Sequence, residues 1–273
     1  MKLSKSRLQK YITCPQSYLL QYELKVEPLR SSSDLLTGLS THKLITSYFA
    51  KKKKGETCNL SQVLEEFWSG YPLESTDFET QEDLEAAKRE SRKYAELFLK
   101  EVTIEPLEIE YEFTLPLLNL ETGDTLPGVE LTGIIDLIDC PNGKSRALEI
   151  KTRSRKQDDF QAKTSLELTC YAYWLKFLDD TEEVPVSYIN IVKNKRPYIQ
   201  WKNQKRGTRE FVELFHTAKV VSENIKDKRF YKNPGVHCNW CDYYPVCLED
   251  KERITEVFGE EGYKRLREGG IVS

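Results

Sequence analysis

Long apolar runs are what this chain most plainly lacks. No stretch approaches the roughly 20 apolar residues that span a bilayer. The opening MKLSKSRLQKYI has none of the apolar core a secretion signal needs. A membrane helix is therefore not expected, and a cytoplasmic location is. Surplus positive charge is absent too: lysine and arginine number 41 against 44 aspartate and glutamate, a formal net charge of −3. The chain is no general polycation, so any nucleic acid must be gripped by local basic patches. Gly143-Lys144-Ser145 invites a phosphate-loop reading, but position 138, where the first glycine belongs, is Ile. No P-loop ATPase is built in, and any helicase motor would be a separate chain. Internal repeats and long linkers are missing, which excludes a repeat array. Cysteine is not scarce, but its seven copies make an odd number in a chain without a secretion signal. That argues for a reducing compartment and metal ligation over disulfides.

What is present centres on residues 131–151, LTGIIDLIDCPNGKSRALEIK. The stretch reads as two apolar strands joined by a tight turn. Asn142-Gly143 is a strong hairpin signal, because both central residues of a type I′ turn need positive φ. With that dipeptide as the loop, Pro141 pairs with Lys144, and stepping outward places Asp136 opposite Glu149. Directly opposite residues share a face with Cβ atoms roughly 5 Å apart. Lys151 shares the face two residues on, and Ile150 points the other way. Two facing carboxylates on apolar strands repel each other, and a divalent cation removes the objection. Mg²⁺ or Mn²⁺ takes hard oxygen ligands, and a neighbouring lysine can orient water or balance phosphate charge. The competing reading is an exposed hairpin face with scattered charges.

The remaining chain alternates helices with a few strands. Ser4 is a candidate N-cap for a helix carrying Leu8, Tyr11 and Ile12, with Cys14-Pro15 inside it or at a break. Residues 34–52 and 60–101 read as helical. The alternation of Leu107, Ile109, Tyr111, Phe113 and Leu115 marks a strand. A basic stretch with Arg153, Arg155 and Lys156 leaves the hairpin beside the carboxylates, placed to grip phosphates; a solvated loop is the alternative. A helix with Leu166, Leu168, Tyr171 and Trp174 follows. Then come strands near 186–192 and 197–201 and a helix over 210–226. Together they give an α/β sandwich.

Near the C-terminus Cys238, Cys241 and Cys247 form C-x2-C-x5-C. Three thiols leave a four-ligand site short by one, and Cys14 is the candidate fourth, ahead of His237. Four thiolates suit an iron–sulfur cluster and also structural zinc. Cys58, Cys140 and Cys170 remain ordinary thiols.

These motifs carry a resemblance. Asp136 followed by Glu149-Ile150-Lys151 resembles the Asp…Glu-x-Lys core of the PD-(D/E)XK nucleases. Ser6-x-Leu8-x-x-Tyr11-x-x-Cys14-Pro15-x-x-Tyr18, together with the three late cysteines, resembles the layout of the iron–sulfur RecB-like nucleases. That group includes the AddB nuclease domain and the RecB-like nucleases of CRISPR adaptation. Gly38 and His42 match its Gly-x-x-x-His element. Glu167 and Tyr171 stand where many relatives carry Gln-x-x-x-Tyr, with glutamate replacing glutamine.

The resemblance implies a restriction-endonuclease-like core, a mixed central sheet flanked by helices. Residues 1–273 would form one nuclease domain with a helical insert at about 55–103. Asp136, Glu149 and Lys151 would be catalytic. His42, Asp136, Glu149 and Ile150 would hold Mg²⁺ or Mn²⁺. Arg153, Arg155, Lys156, Glu167 and Tyr171 would meet DNA. Cys14, Cys238, Cys241 and Cys247 would bind a 4Fe–4S cluster. The implied activity is an exonuclease on single-stranded or frayed DNA ends. The alternatives are a nuclease subunit of a recombination or CRISPR-adaptation complex, or an inactive DNA-binding module.

Overall fold

The computed structural model describes residues 1–179 and 181–273. A three-residue strand, β1 (Lys2–Ser4), leads into α1 (Lys5–Thr13), whose first turn is capped by the Ser4 side chain accepting from the Arg7 amide. Cys14 breaks the helix in extended backbone, and Pro15 opens the short α2 (Pro15–Tyr18). The break follows from proline's exclusion of helical backbone at the residue before it. Next come α3 (Ser33–Lys53), α4 (Leu60–Trp68) and α5 (Gln81–Glu101). Strands β2 (Glu108–Leu118), β3 (Thr125–Asp139) and β4 (Arg146–Arg153) precede α6 (Asp159–Lys163) and α7 (Leu166–Leu175). Strands β5 (Val184–Val192) and β6 (Tyr198–Arg206), then α8 (Thr208–Lys226), complete the core. Helices α9 (Tyr244–Leu248) and α10 (Lys251–Glu268) end the chain.

The six strands form one mixed sheet. Strand β3 is its spine and has three neighbours. Antiparallel β2 runs along it from Glu108↔Ile138 to Leu115↔Leu131 and beyond. Parallel β1 pairs at Leu3↔Leu131, and antiparallel β4 pairs at Leu137↔Leu148. Both registers overlap that of β2, so β1 and β4 must share the other edge of β3, one at each end. Between Ser4↔Thr132 and Leu137↔Leu148 that edge carries no ladder partner. The gap opens where the carboxylates sit. Beyond it β4 pairs parallel with β5, and β5 pairs antiparallel with β6.

The expected hairpin register is present: the pairs Leu137↔Leu148, Ile138↔Ala147 and Asp139↔Arg146 place Asp136 opposite Glu149 one step further on. At the tip Asn142 (φ 57°) and Gly143 (φ 76°) both have positive φ, and the Lys144 amide donates to the Pro141 carbonyl at 3.3 Å. The ladder stops short of the turn, because the Ser145 amide donates to Asp179 instead.

Each face of the sheet is covered. Leu36, Leu44 and Phe49 of α3, Trp68 of α4 and Phe98 of α5 bury against Leu137, Leu148, Ile150, Ile189 and Ile191. Leu8 and Tyr11 of α1, Leu168 of α7 and Phe211 and Leu214 of α8 pack on the other face with Ala147, Val186 and Tyr188. Thus Ile150 goes to one core while Glu149 and Lys151 point to the other side, as strand alternation requires. A third cluster joins the two ends of the chain, with Leu20 and Val26 against Tyr243, Val246, Ile254, Phe258 and Leu266. Among the described residues, no helix is long and apolar enough to cross a membrane.

Candidate functional site

Where β3 and β4 part, their backbone groups need other partners, and side chains supply them. Asp136 Oδ2 accepts from the Ile150 amide at 2.7 Å, which pins the carboxylate in the gap. Asp136 is 7% exposed and Glu149 4%. The Lys151 ammonium contacts Glu149 Oε1 and lies 3.2 Å from Glu167 Oε1. Burial, then the Asp136 charge, pushes Glu149 well above the usual carboxylate range. Burial alone would lower Lys151, but Glu149 and Glu167 outweigh it and hold the ammonium above its ordinary value. Lys151 is therefore a fixed cation.

His42 arrives from α3. That helix approaches β4 closely because Gly38 has no side chain: a Cβ there would stand 3.1 Å from Thr152 Oγ1. One turn on, His42 Nε2 lies 2.8 Å from Asp136 Oδ1. Neither this nitrogen nor Glu149 Oε2 makes a hydrogen bond of good geometry, although Asp136 lies beside the one and the Tyr171 hydroxyl beside the Glu149 carboxyl. Burial pushes His42 down, but Asp136 and Glu110 outweigh it and hold the imidazole above its ordinary value.

Glu167 sits on the first turn of α7 and is also buried. Its Oε1 meets Lys5 Nζ at 3.0 Å as well as Lys151, and its Oε2 accepts from the Tyr188 hydroxyl at 2.9 Å. Burial opposes its charge, yet the two lysines hold its carboxyl below the usual range. Its charge is thereby neutralised inside the protein. Tyr171, one turn along, faces Glu149, Glu167 and Asp136, and burial first, then those charges, raises its hydroxyl far above normal.

Asp136, Glu149, Ile150, Lys151 and His42 all line one cleft of about 1040 Å³. Arg153, Arg155, Lys156 and Lys193 line it too. Arg155 and Lys156 are exposed. Arg153 is held, its Nε donating to Asn190 Oδ1 at 2.8 Å and its guanidinium lying 5.4 Å from the Tyr188 ring centre. Glu167 and Tyr171 line an adjoining hollow that shares Ile134 with the cleft. None of the cleft's lining residues comes from α4 or α5. That segment covers one face of the sheet instead.

The cysteines are drawn together by hydrogen bonds between distant segments. Asn233 Nδ2 donates to the Thr13 carbonyl at 2.8 Å, the Gln16 amide to the Tyr231 carbonyl at 3.0 Å, and Lys232 Nζ to the Cys247 carbonyl at 3.0 Å. Cys14 lies near enough to affect the ionisation of Cys241 and Cys247, and Cys238 that of Cys247. Burial raises both Cys241 and Cys247. No cysteine is in a disulfide. Among the described residues, no three His, Cys, Asp or Glu side chains are gathered into a ready metal-binding group, either here or at the hairpin.

Four participants were not foreseen from sequence. Lys5, Glu110, Tyr188 and Asn190 join the site only through pairing across the sheet. Lys5 follows an N-cap and Glu110 lies in an alternating strand, so each looked like an ordinary surface charge.

A mixed sheet with helices on both faces and acidic groups in a parted hairpin defines a restriction-endonuclease-like nuclease core. The family model for the PD-(D/E)XK nuclease superfamily matches residues 2–248, and the chain belongs to that superfamily. No curated protein matches the chain by sequence. Among solved structures it is similar to a candidate exonuclease from Eubacterium rectale. The identity is 13%, with 89% of this chain and 87% of that one covered at a TM-score of 0.50. A second likeness, to SSO0001, has 16% identity over 84% of this chain and 94% of that one, at a TM-score of 0.31.

Proposed function

We propose that the chain acts as a metal-dependent deoxyribonuclease, an exonuclease on single-stranded or frayed DNA ends, with residues 1–273 working as one nuclease domain. The observation that carries this reading is the gathering of buried Asp136 and Glu149 with His42 at one gap in the sheet, His42 Nε2 lying 2.8 Å from Asp136 Oδ1 and Glu149 Oε2 without a well-formed hydrogen bond. A poorly satisfied buried carboxylate oxygen costs free energy unless something occupies it, and a hard divalent cation fits oxygen and imidazole donors of this kind. His42, Asp136 and Glu149 would hold it, with Ile150 able to offer only main-chain oxygen, since its side chain is in the opposite core. When bound, the cation supplies positive charge to the scissile phosphate and activates a water.

The protein's own residues do the rest. Lys151, kept charged by Glu149 and Glu167, orients the attacking water and balances charge on the phosphoryl oxygens. Arg155 and Lys156 on the cleft wall grip flanking phosphates, with Arg153 as a fixed anchor. Tyr171 faces the same carboxylates from α7. The restriction to ends rests on the resemblance in the motifs, and the description of the Eubacterium rectale neighbour agrees with it.

Cys14, Cys238, Cys241 and Cys247 would hold a 4Fe–4S cluster. Four half-buried free thiols support this, two of which, Cys241 and Cys247, lie near enough to feel their neighbours, as does the bonding that brings Thr13 to Asn233. The deciding assay compares end-labelled linear DNA with closed circular single strands in Mn²⁺. Degradation of the linear strands with intact circles is expected. Equal cutting of circles would end the exonuclease reading, and inertness toward both would favour an inactive DNA-binding module.

A further inference from the structure

One cross-strand row runs through the site. Glu110 on β2 lies opposite Asp136 in the register defined by Ile109↔Leu137 and Tyr111↔Ile135, and Glu149 pairs with Tyr188 on the far side. Glu110 itself leaves the ladder: its φ is 49°, in the left-handed region. That backbone is unfavourable for a residue with a Cβ and costless for glycine. Strain of this kind persists where the surroundings impose it, and its commonest settings are functional sites. The strained glutamate is also a neighbour of His42. Its Oε1 lies 3.9 Å from His42 Nδ1, while Nε2 at the other end of the ring lies 2.8 Å from Asp136 Oδ1.

We propose that Glu110 is a positioning residue for His42. It accepts the Nδ1–H, so that the bare Nε2 faces Asp136 and the cation between them. This deepens the metal-nuclease reading above and rests on it. The arrangement is a carboxylate holding the outer nitrogen of a ligand histidine, which fixes both tautomer and ring orientation. Glu110 must close by about 1 Å to reach hydrogen-bond length. Its side chain is 42% exposed and free to do so. The left-handed backbone takes the side chain out of the regular strand alternation, and this explains why glutamate stands where glycine would be easier.

The test uses the whole chain, purified with its cysteine site intact and stripped of divalent cations, titrated with Mn²⁺ by calorimetry and by the loss of the free-ion paramagnetic resonance signal. Wild-type protein, Glu110→Gly and Glu110→Gln are compared, each with its melting temperature. Glu110→Gly should bind Mn²⁺ about 10–100-fold more weakly, the range seen when the partner of a ligand histidine is removed. Its melting temperature should be unchanged or higher, because glycine relieves the left-handed strain. Glu110→Gln keeps an acceptor oxygen and should recover part of the affinity. Undiminished affinity in Glu110→Gly overturns the inference alone. So does a loss in Glu110→Gly that merely follows a lower melting temperature while Glu110→Gln binds no better than Glu110→Gly. A wild-type protein that takes up no Mn²⁺ overturns the metal reading itself and this inference with it.

Discussion

At the scale of the residue, the roles separate by what each substitution leaves behind. Asp136→Asn keeps an oxygen for the Ile150 amide, so the strands should stay parted as they are, but it removes the charge a cation needs. Cleavage should fall by 10²–10³-fold or more, the order seen when a group stabilising transition-state charge is lost, with DNA binding retained. Initial rates on end-labelled DNA beside a filter-binding curve check this, and a wild-type rate would remove Asp136 from the site. Lys151→Ala should likewise cripple turnover with metal still bound. Glu167 calls for a different expectation. A free acid facing the cleft would repel phosphate, but Glu167 is neutralised by Lys5 and Lys151. Glu167→Gln therefore unbalances two lysines. DNA binding should tighten at low salt, and cleavage should stay within about tenfold of wild type, since the charge lost lies outside the cation's shell. Complete loss of cleavage would make Glu167 an essential ligand or base.

At the scale of the element, the spacing of α3 from β4 sets His42. Gly38→Val should force the helix away from Thr152, because even a Cβ would stand 3.1 Å from its hydroxyl. A shift of about 1 Å at His42 is enough to lower the rate on the order of 10²-fold. Adding Thr152→Ala should return part of that loss, and a double variant no better than Gly38→Val would show that the contact does not set the histidine. The Gly-x-x-x-His spacing was legible because a helix repeats its face every four residues. The hairpin was legible for a similar reason: Asn142-Gly143 fixes the turn, and alternation then fixes every facing pair. What stayed hidden depends on partners distant in sequence. Three residues of β1 carry no periodicity that could announce a parallel pairing with Leu131. The parting of β3 from β4 is invisible in a pattern that predicts an unbroken ladder. Glu110 and Lys5 gained their neighbours from the pairing of β2 and β1 with β3. The tethering of Arg153 by Asn190 needed the parallel pairing of β4 with β5.

At the scale of the whole molecule, the four cysteines decide whether the chain's two ends are merely adjacent or clasped. Adjacency has its own causes. Tyr243 donates to the Val26 carbonyl at 2.7 Å, Arg265 to the Lys25 carbonyl at 2.9 Å, and an apolar cluster joins Leu20 to Val246 and Phe258. The cluster of iron would add to this. A link that survived unfolding would restrict the denatured chain by about 5 kcal/mol for a loop this long. One lost on unfolding would contribute its binding energy instead. Both exceed a third of a typical domain's net stability of roughly 5–15 kcal/mol at its lower end. Because the apolar cluster already ties the ends, Cys14→Ala should weaken the fold without abolishing it. A loss of about 3 kcal/mol would lower the melting temperature by roughly 5 °C. Anaerobically purified wild-type protein should be brown and contain iron and sulfide, while Cys14→Ala should be colourless and process DNA more slowly through partial misfolding. Colourless wild-type protein with stoichiometric zinc would replace the iron with zinc and keep the clasp. Full colour and stability in Cys14→Ala would remove Cys14 from it. His237, whose Nε2 is buried beside Cys238 without a partner, would then be the fourth ligand to test.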